Sequence, residues 1–335
     1  MDIFQHEAFS QASLTHAASK IPFRPRLLGQ MGLFQHKHSF TTVLKVERRD
    51  GVLRLVPTSP RGAPHQHSPG GKREIQFFEP PRLQDGFTLY ADELQNIRQF
   101  ASNELADVQS EFAERKLQPR DNLELTMELH RVGAVQGIVL DADGETVLID
   151  WFETWGIDRP EAIVLDLDTA EAKVRLQCMD IRRRMARAAK GLFGEDVRIV
   201  ALTGDAFFDK LISHPEVERT YLNHSAAAEL RDGKAYDRFT YGNIEFVNYR
   251  GTDDQSTVAI PANEARFFPV GVPDLFQVGF APGESYSAVN RKAQELYARV
   301  ILDRDRDEWA QYELTSYPLH ICTRPEVLLT AKVPK

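Results

Sequence analysis

The stretch of sequence that decides the fold is Tyr241-Gly242-Asn243-Ile244-Glu245-Phe246-Val247-Asn248-Tyr249-Arg250-Gly251. Other short phrases stand before and after it in a fixed order. In chain order they are Tyr221-Leu222-Asn223, Asn263-Glu264-Ala265-Arg266-Phe267-Phe268-Pro269 with Gly271, Pro273-Asp274, Phe280-Ala281-Pro282, Val289-Asn290, Tyr312-Glu313-Leu314, Pro318-Leu319 and Arg324-Pro325-Glu326. No one phrase is diagnostic, but the ordered set across the last third of the chain is specific.

Taken together, this set resembles the lambda-type E family of tailed-phage major capsid proteins, with weaker resemblance back to about Phe23. The resemblance implies an α+β tailed-phage major-capsid fold with an axial domain, a peripheral domain, a long spine helix, an extended projecting loop and an N-terminal arm. On that basis we expect five segments. They are an N-terminal arm (1–40), a hairpin with the projecting loop (41–85), spine helices with a peripheral-domain hairpin (86–156), the axial domain (157–300) and the return strands of the peripheral domain (301–335).

The resemblance also implies a function without catalysis, cofactor or metal. A major capsid protein self-assembles through pentamers and hexamers into the icosahedral head that encloses double-stranded phage DNA. The expected partners are other copies of the chain, a portal at one vertex and, as an open question, a decoration protein. Only about forty residues precede the first predicted hairpin, so we expect a separate scaffolding protein rather than a fused one. The expected location is the virion capsid, with the host cytoplasm before assembly.

Composition agrees with a globular chain of roughly two domains. Of 335 residues, 42% are hydrophobic and 27% are charged. No apolar run approaches the roughly 20 residues that span a bilayer, so no membrane contact is expected. The two cysteines, Cys178 and Cys322, are too few for a disulfide framework and are predicted to be small core residues, as in a protein made in a reducing cytoplasm.

Charge is unevenly distributed along the chain. Residues 1–75 hold eleven Lys/Arg against five Asp/Glu, whereas the remainder holds 30 against 44. A basic arm on an acidic body favours contact with the acidic surface of a neighbouring copy over contact with nucleic acid, because the arm lacks interleaved aromatic platforms. The predicted inter-subunit contacts of the arm and projecting loop are Arg24, Arg26, Arg61, Gly62, Lys72 and Arg73. Arg61-Gly62 is similar to an Arg-Gly pair in the projecting loop of the family.

The loop itself is predicted from turn and breaker residues. Residues 40–56 alternate as a hairpin around Asp50-Gly51, which supplies a tight turn. The following stretch, 57–71, is rich in proline and glycine. About fifteen residues without secondary structure are unusual inside a compact domain. We therefore expect a projecting loop whose packing partner lies on another molecule.

Two helices and a hairpin are predicted next. Asp92 and Gln95 are spaced as a capping box, and a buried stripe continues from Leu94 to Phe112 until Pro119 ends the helix. Asp121 with Glu124 is predicted to open a second helix. A hairpin is predicted around 141–144. It resembles the peripheral sheet of the capsid family, and this resemblance implies that the other strands of the sheet come from about 308–328.

A third helix is predicted from Thr169 to Leu192, capped by Asp168 with Glu171. Its apolar seam is Val174, Cys178, Ile181, Met185, Ala188 and Leu192. The arginines Arg182, Arg183, Arg184 and Arg187 lie mostly off that seam. They are read first as a solvated helix face and second as a contact for a scaffold or for DNA. A strand at 197–202 and helices near 204–212 and 215–230 complete an α/β region.

The sequence also contains patterns that partly match an enzyme site or a metal site. A haloacid-dehalogenase-type phosphatase would use paired aspartates, a lysine and Mg²⁺. The candidates for that site are Asp166, Asp168, Lys190, Asp205 and Asp209. Residue 170 is Ala, whereas the phosphatase motif requires Thr at that position. No Ser or Thr lies between Thr169 and Thr203 to bind the phosphate. The interval from Asp166 to Asp205 is also too short for the alternating strands and helices of that fold. The phosphatase is therefore a remote alternative.

The metal-like patterns are weaker still. His36-x-His38 and His65-x-His67 have no third ligand nearby and are read as solvated or interface histidines. Asp303, Asp305 and Asp307 mimic a calcium loop, but Glu308 and Leu314 replace the required Gly and Glu, which leaves an acidic turn. Two non-enzyme alternatives stay open at this point, an encapsulin-like compartment shell and a decoration or tail protein.

Overall fold

The computed structural model describes residues 27–49, 73–95, 112–194, 196–222, 238–249 and 260–334. Within these ranges the α-helices include α1 Leu27–Gln30, α2 Ala91–Gln95, α3 Leu117–Gln136, α4 Trp151–Thr154, α5 Val174–Ala188, α6 Asp205–Ser213 and α7 Pro215–Leu222. Residues 112–115 are also helical, and Tyr286–Ala288 and Pro325–Val327 form 3-10 helices. The strands are β1 Gln35–His38, β2 Leu44–Arg49, β3 Arg73–Phe78, β4 Leu83–Tyr90, β5 Ile138–Leu140, β6 Val147–Asp150, β7 Ile163–Val164, β8 Arg198–Thr203, β9 Arg238–Tyr241, β10 Ile244–Asn248, β11 Glu264–Val270, β12 Phe276–Phe280, β13 Tyr297–Leu302, β14 Trp309–Ser316, β15 Pro318–Cys322 and β16 Leu329–Lys332.

The chain divides into two compact units. The first contains the described residues up to Lys45, those of 77–128, and 277–320. The second contains the described residues of 46–76, of 129–276, and 321–334. Each unit has its own hydrophobic core.

The first unit is built on the antiparallel sheet β13-β14-β4. Phe87, Phe112 and Tyr312 pack as a triad with all three ring-centroid distances at 5.3 Å. Gly86 lies on β4 opposite Glu313 of β14, and a Cβ at this position would lie 2.0 Å from the carbonyl oxygen of Tyr312. Any other residue at position 86 would therefore push β4 away from β14.

Two helix boundaries differ from the prediction. Pro119 does not end a helix, because it lies in the first turn of α3, where a missing N–H costs no hydrogen bond. Asp121 consequently falls inside α3 and does not open it. Similarly, α2 begins at Ala91, so Asp92 sits within its first turn and accepts a hydrogen bond from the Glu93 N–H instead of capping the helix.

A second sheet of the first unit, β1-β12-β15, shows that part of the predicted arm is ordered by close contacts. Strand β1 runs parallel to β12, with His36 opposite Val278 and His38 opposite Phe280. Just before β1, Leu28 is fully buried, and its N–H donates to the Glu128 carboxylate at 2.8 Å. The Gly29 N–H donates to the other carboxylate oxygen at 3.3 Å.

Glu128→Ala is expected to lower the free energy of unfolding by about 1–3 kcal/mol, because it leaves buried N–H groups without their acceptor. Glu128 is 0% exposed, so water would not replace the lost acceptor readily. Chemical denaturation of the purified subunit measures the change, and Glu114→Ala, at an exposed position, is the control. Equal stability of the two variants would show that Glu128 does not hold residues 27–30 in place.

The second unit is built on the six-stranded sheet β7-β16-β11-β8-β10-β9. Helix α5 packs its buried residues Val174, Cys178, Ile181 and Met185 into the core of this unit, as the seam predicted. The predicted seam residue Ala188 is half-buried, and the next buried residue after Met185 is Ala189, four residues further on.

The first residues of the stretch 241–251 form the turn between β9 and β10. Gly242 has a φ of +57°, and a Cβ there would lie 2.7 Å from the Cys178 Cβ on α5. Asn243 follows with a φ of 63°, a left-handed conformation that asparagine tolerates better than most residues. The turn is thus specified by its own backbone and by close contact with α5.

One strand assignment from sequence is corrected. The hairpin β5–β6 forms a two-stranded sheet of its own and was wrongly expected to join strands from 308–328. Strand β14, which lies within 308–328, pairs with β13 along one edge and with β4 along the other. It therefore has no free edge with which the hairpin could pair. Strand β16, the last strand of the predicted segment 301–335, pairs with β11 and β7 in the six-stranded sheet.

Candidate assembly surfaces

The predicted contacts of the arm and loop fall mainly outside the described residues. Arg24, Arg26, Arg61, Gly62 and Lys72 lie there, as does the second strand of the predicted hairpin. Arg73 begins β3, but its side chain is also outside the described part. These six residues remain predicted contacts.

Strand β3 adds an apolar surface that the sequence reading did not single out. Ile75 and Phe77 are 41% and 67% exposed, and since side chains alternate along a strand, both project from one face. Strand β3 pairs with β2 in a two-stranded sheet, and residues 50–72 connect the two. We call Ile75 and Phe77 the β3 patch. In the sequence, the alternation of polar and apolar residues in Glu74-Ile75-Gln76-Phe77 indicates a strand with an apolar face.

The arginines of α5, which were predicted first as a solvated helix face, lie off the buried seam of the helix. Arg183, Arg184 and Arg187 are exposed, and Arg182 is half-buried. Arg184 pairs with Asp180 at 2.7 Å. The same outer side carries the apolar residues Leu176 and Met179, which are 55% and 38% exposed and were not predicted as surface residues.

The start of α5 is capped by a residue distant in sequence. The Val174 N–H donates to the Glu216 carboxylate of α7 at 2.6 Å. Asp168, predicted as the cap, instead forms an ion pair with Lys210 at 2.8 Å. The helix therefore begins at Val174, because its N-terminal N–H finds its acceptor across the fold.

The aspartates of the phosphatase alternative have structural contacts. The Asp166 carboxylate accepts the Thr169 N–H at 3.1 Å, and the Asp205 carboxylate accepts an amide N–H of Asn248 at 3.0 Å. In the described part of the chain, no group of three or more His, Cys, Asp or Glu side chains could hold a metal ion. None of the described helices is long and apolar enough to cross a membrane.

The metal-like patterns also have other contacts. His36 Nδ1 lies 2.7 Å from the Glu295 carboxylate, and this hydrogen bond lowers the pKa of that carboxyl group. His38 stacks on Phe280 with ring centroids 5.4 Å apart. Asp303 closes the β13–β14 turn by accepting backbone N–H groups from residues 305, 306 and 308. His65 and His67 lie outside the described residues.

Both cysteines are free thiols in the core. Burial raises the pKa of the Cys178 thiol to about 12 and also raises the pKa of the Cys322 thiol. Since the thiolate is the reactive form, neither group is prepared for nucleophilic chemistry. The prediction that they are small core residues is confirmed.

The comparisons with known proteins agree on one group. A sequence model of the family described as phage major capsid protein E matches residues 10–333. The chain is 26% identical to the major capsid protein of Salmonella phage Felix O1 (isolate Felix O1-VT1), over 97% of this chain and 96% of that protein. It is 25% identical to the major capsid protein of Pseudomonas phage KPP10, over 97% of each.

Solved structures extend the similarity to the fold. The crystal structure of a putative capsid protein from a prophage of Escherichia coli CFT073 superposes with a TM-score of 0.56, at 14% identity. The superposition covers 95% of each chain. The α+β capsid-type fold expected from the sequence is thereby confirmed.

Proposed function

The chain belongs to the phage major capsid protein E family, and from that premise we propose that its copies form pentamers and hexamers that close into an icosahedral head around phage DNA. It is a structural protein of the virion capsid and not an enzyme. The family match over residues 10–333 carries the proposal, because it extends over nearly the whole chain. It favours neither an encapsulin-like compartment nor a phosphatase.

Assembly requires surfaces that are exposed on an isolated copy and become buried against a neighbouring copy in the shell. The β3 patch fits this requirement, since Ile75 and Phe77 expose apolar area on a strand next to the predicted projecting loop. Exposed apolar groups of this kind are typical of interaction sites. We propose that the arm and loop residues, Arg24, Arg26, Arg61, Gly62, Lys72 and Arg73, extend this contact onto a neighbouring copy. Heterologous contacts of this type close into rings and shells.

We assign the first compact unit to the peripheral domain and the second to the axial domain. The assignment rests on the sheet β13-β14-β4 and the start of α3 in the first unit, and on the six-stranded sheet with its helices in the second. With it, the boundaries predicted from sequence change. Residues 277–300 would join the peripheral domain, and residues 129–156 and 321–334 would join the axial domain.

Further partners follow from the same proposal. A separate scaffolding protein would guide curvature, a portal would occupy one vertex, and double-stranded DNA would fill the interior. A decoration protein is an additional candidate partner. Newly made subunits would reside in the host cytoplasm until they assemble.

Electron microscopy of the purified chain at high concentration tests the proposal. We expect closed shells, or five- and six-membered rings, in the particle images. Uniform small particles, both for the chain alone and for the chain produced together with the other head proteins of its phage, would contradict it.

A further inference from the structure

We propose that the outward face of α5 is an interface that binds the acidic surface of a second copy of this chain. The inference rests on the proposed shell function and specifies one of its contacts. We call this surface the α5 face and define it by Arg175, Leu176, Met179, Arg183 and Arg187. Its recognition chemistry is apolar contact combined with arginine–carboxylate pairing.

The geometry of the helix places these residues together. Successive residues of an α-helix are rotated by about 100°. Leu176, Met179 and Arg183 therefore point within about 50° of the direction opposite the buried seam. Arg175, Arg183 and Arg187 are exposed, and Leu176 keeps 55% of its surface exposed. The helix thus has a second, outward stripe of exposed residues that lies opposite the seam buried in its own unit's core.

The charge of this helix is opposite to that of the chain. Residues 174–188 hold five Arg and one Asp, a net charge of +4 in a chain of net charge −8, which leaves −12 on the rest. The one acid, Asp180, is paired with Arg184. Among the described residues, Arg175, Arg183 and Arg187 have no ion-pair partner within the chain. Other copies of the chain carry the surplus of carboxylates that these arginines require.

The apolar pair distinguishes a protein partner from the other candidates. Double-stranded DNA is bound through phosphates, which need Lys and Arg but no exposed aliphatic side chains. A face that only meets solvent would be expected to carry polar residues at positions 176 and 179. A leucine and a methionine among arginines instead match an interface with an apolar centre and a charged rim.

Sedimentation velocity of the full chain at low and high salt tests the α5 face. The variants are Arg183→Glu/Arg187→Glu, which reverses charge, and Leu176→Ser/Met179→Ser, which removes apolar contact. The control is Arg291→Glu/Lys292→Glu, which makes the same charge change at exposed positions outside the helix. We expect each α5 variant to weaken self-association by about tenfold or more while the control does not. High salt should weaken wild-type association as the charge reversal does.

Three outcomes would overturn the inference. If both α5 variants self-associate as strongly as the wild type, the α5 face is excluded from the contact between copies, and the shell proposal is unaffected. Loss of binding to a short DNA duplex in Arg183→Glu/Arg187→Glu, with self-association unchanged in Leu176→Ser/Met179→Ser, would identify a nucleic-acid surface. No self-association by the wild-type chain, either alone at any salt concentration or when it is produced together with the other head proteins of its phage, would contradict the inference and the shell proposal together. Unchanged thermal unfolding of the variants shows that the losses do not come from misfolding.

Discussion

Phe77→Asp is expected to leave the subunit folded and to abolish closed shells. Phe77 is 67% exposed and lies with Ile75 on one face of β3, so its replacement removes little from the subunit's own core. In a shell, burial of a phenylalanine side chain contributes about 1.5–3 kcal/mol, and the substitution would place an unpaired carboxylate in that contact. Because the contact recurs in every copy, the loss would be multiplied over the shell.

The measurement combines thermal unfolding of the subunit with electron microscopy of assembly reactions. The matched control is Gln84→Asp, which adds the same charge at an exposed strand position on β4. Shells from Phe77→Asp at wild-type yield would contradict the role of the β3 patch. Deletion of 58–72, residues outside the described part, is expected to give the same result. Loss of folding in that deletion would show that the loop belongs to the subunit's own core.

Phe267→Ala is expected to lower the free energy of unfolding of the second unit by about 3–5 kcal/mol. Phe267 is 0% exposed on β11, a strand paired on both sides by β8 and β16. Its ring packs edge-to-face on Phe246, with centroids 6.0 Å apart. The two rings belong to the two longest phrases of the family resemblance, so this contact links those phrases directly to stability.

Chemical denaturation followed by circular dichroism measures the loss in Phe267→Ala. Phe40→Ala is the control, since Phe40 is 64% exposed and the same atoms are removed. The control is expected to stay within about 0.5 kcal/mol of the wild type. A comparably small effect for Phe267→Ala would mean that the six-stranded sheet does not depend on its central aromatic contact.

Local patterns predicted the elements well where periodicity was strong. The seam from Val174 to Met185 identified α5, and the run at 197–202 identified β8 to within a residue. The ends of elements were harder, because their capping groups come from distant parts of the chain. Glu216 caps α5 from 42 residues away, and no spacing within the helix itself reveals that.

Strand order could not be predicted from local patterns. Strand β16 joins a sheet with β7 and β11, and β14 is enclosed between β13 and β4. Such pairings depend on which edges remain open after the other strands have paired. The hairpin β5–β6 was misassigned for this reason.

The candidate surfaces were predicted in part. The arginines of α5 were recognised by their position off the seam, whereas Leu176 and Met179 were missed. In a sequence, apolar residues on the outer side of a helix cannot be distinguished from core residues until the buried side is known. The same holds for Ile75 and Phe77 on β3, where either face of the strand could have been the covered one.

The most direct test of the central claim, that copies of this chain form a closed shell, is a cryo-electron-microscopy reconstruction of the particles assembled by the chain together with the other head proteins of its phage. We predict a closed icosahedral shell in which each copy buries Ile75 and Phe77 against a neighbouring copy. Particles without closed symmetry, or a shell in which both side chains face solvent in every copy, would contradict the account.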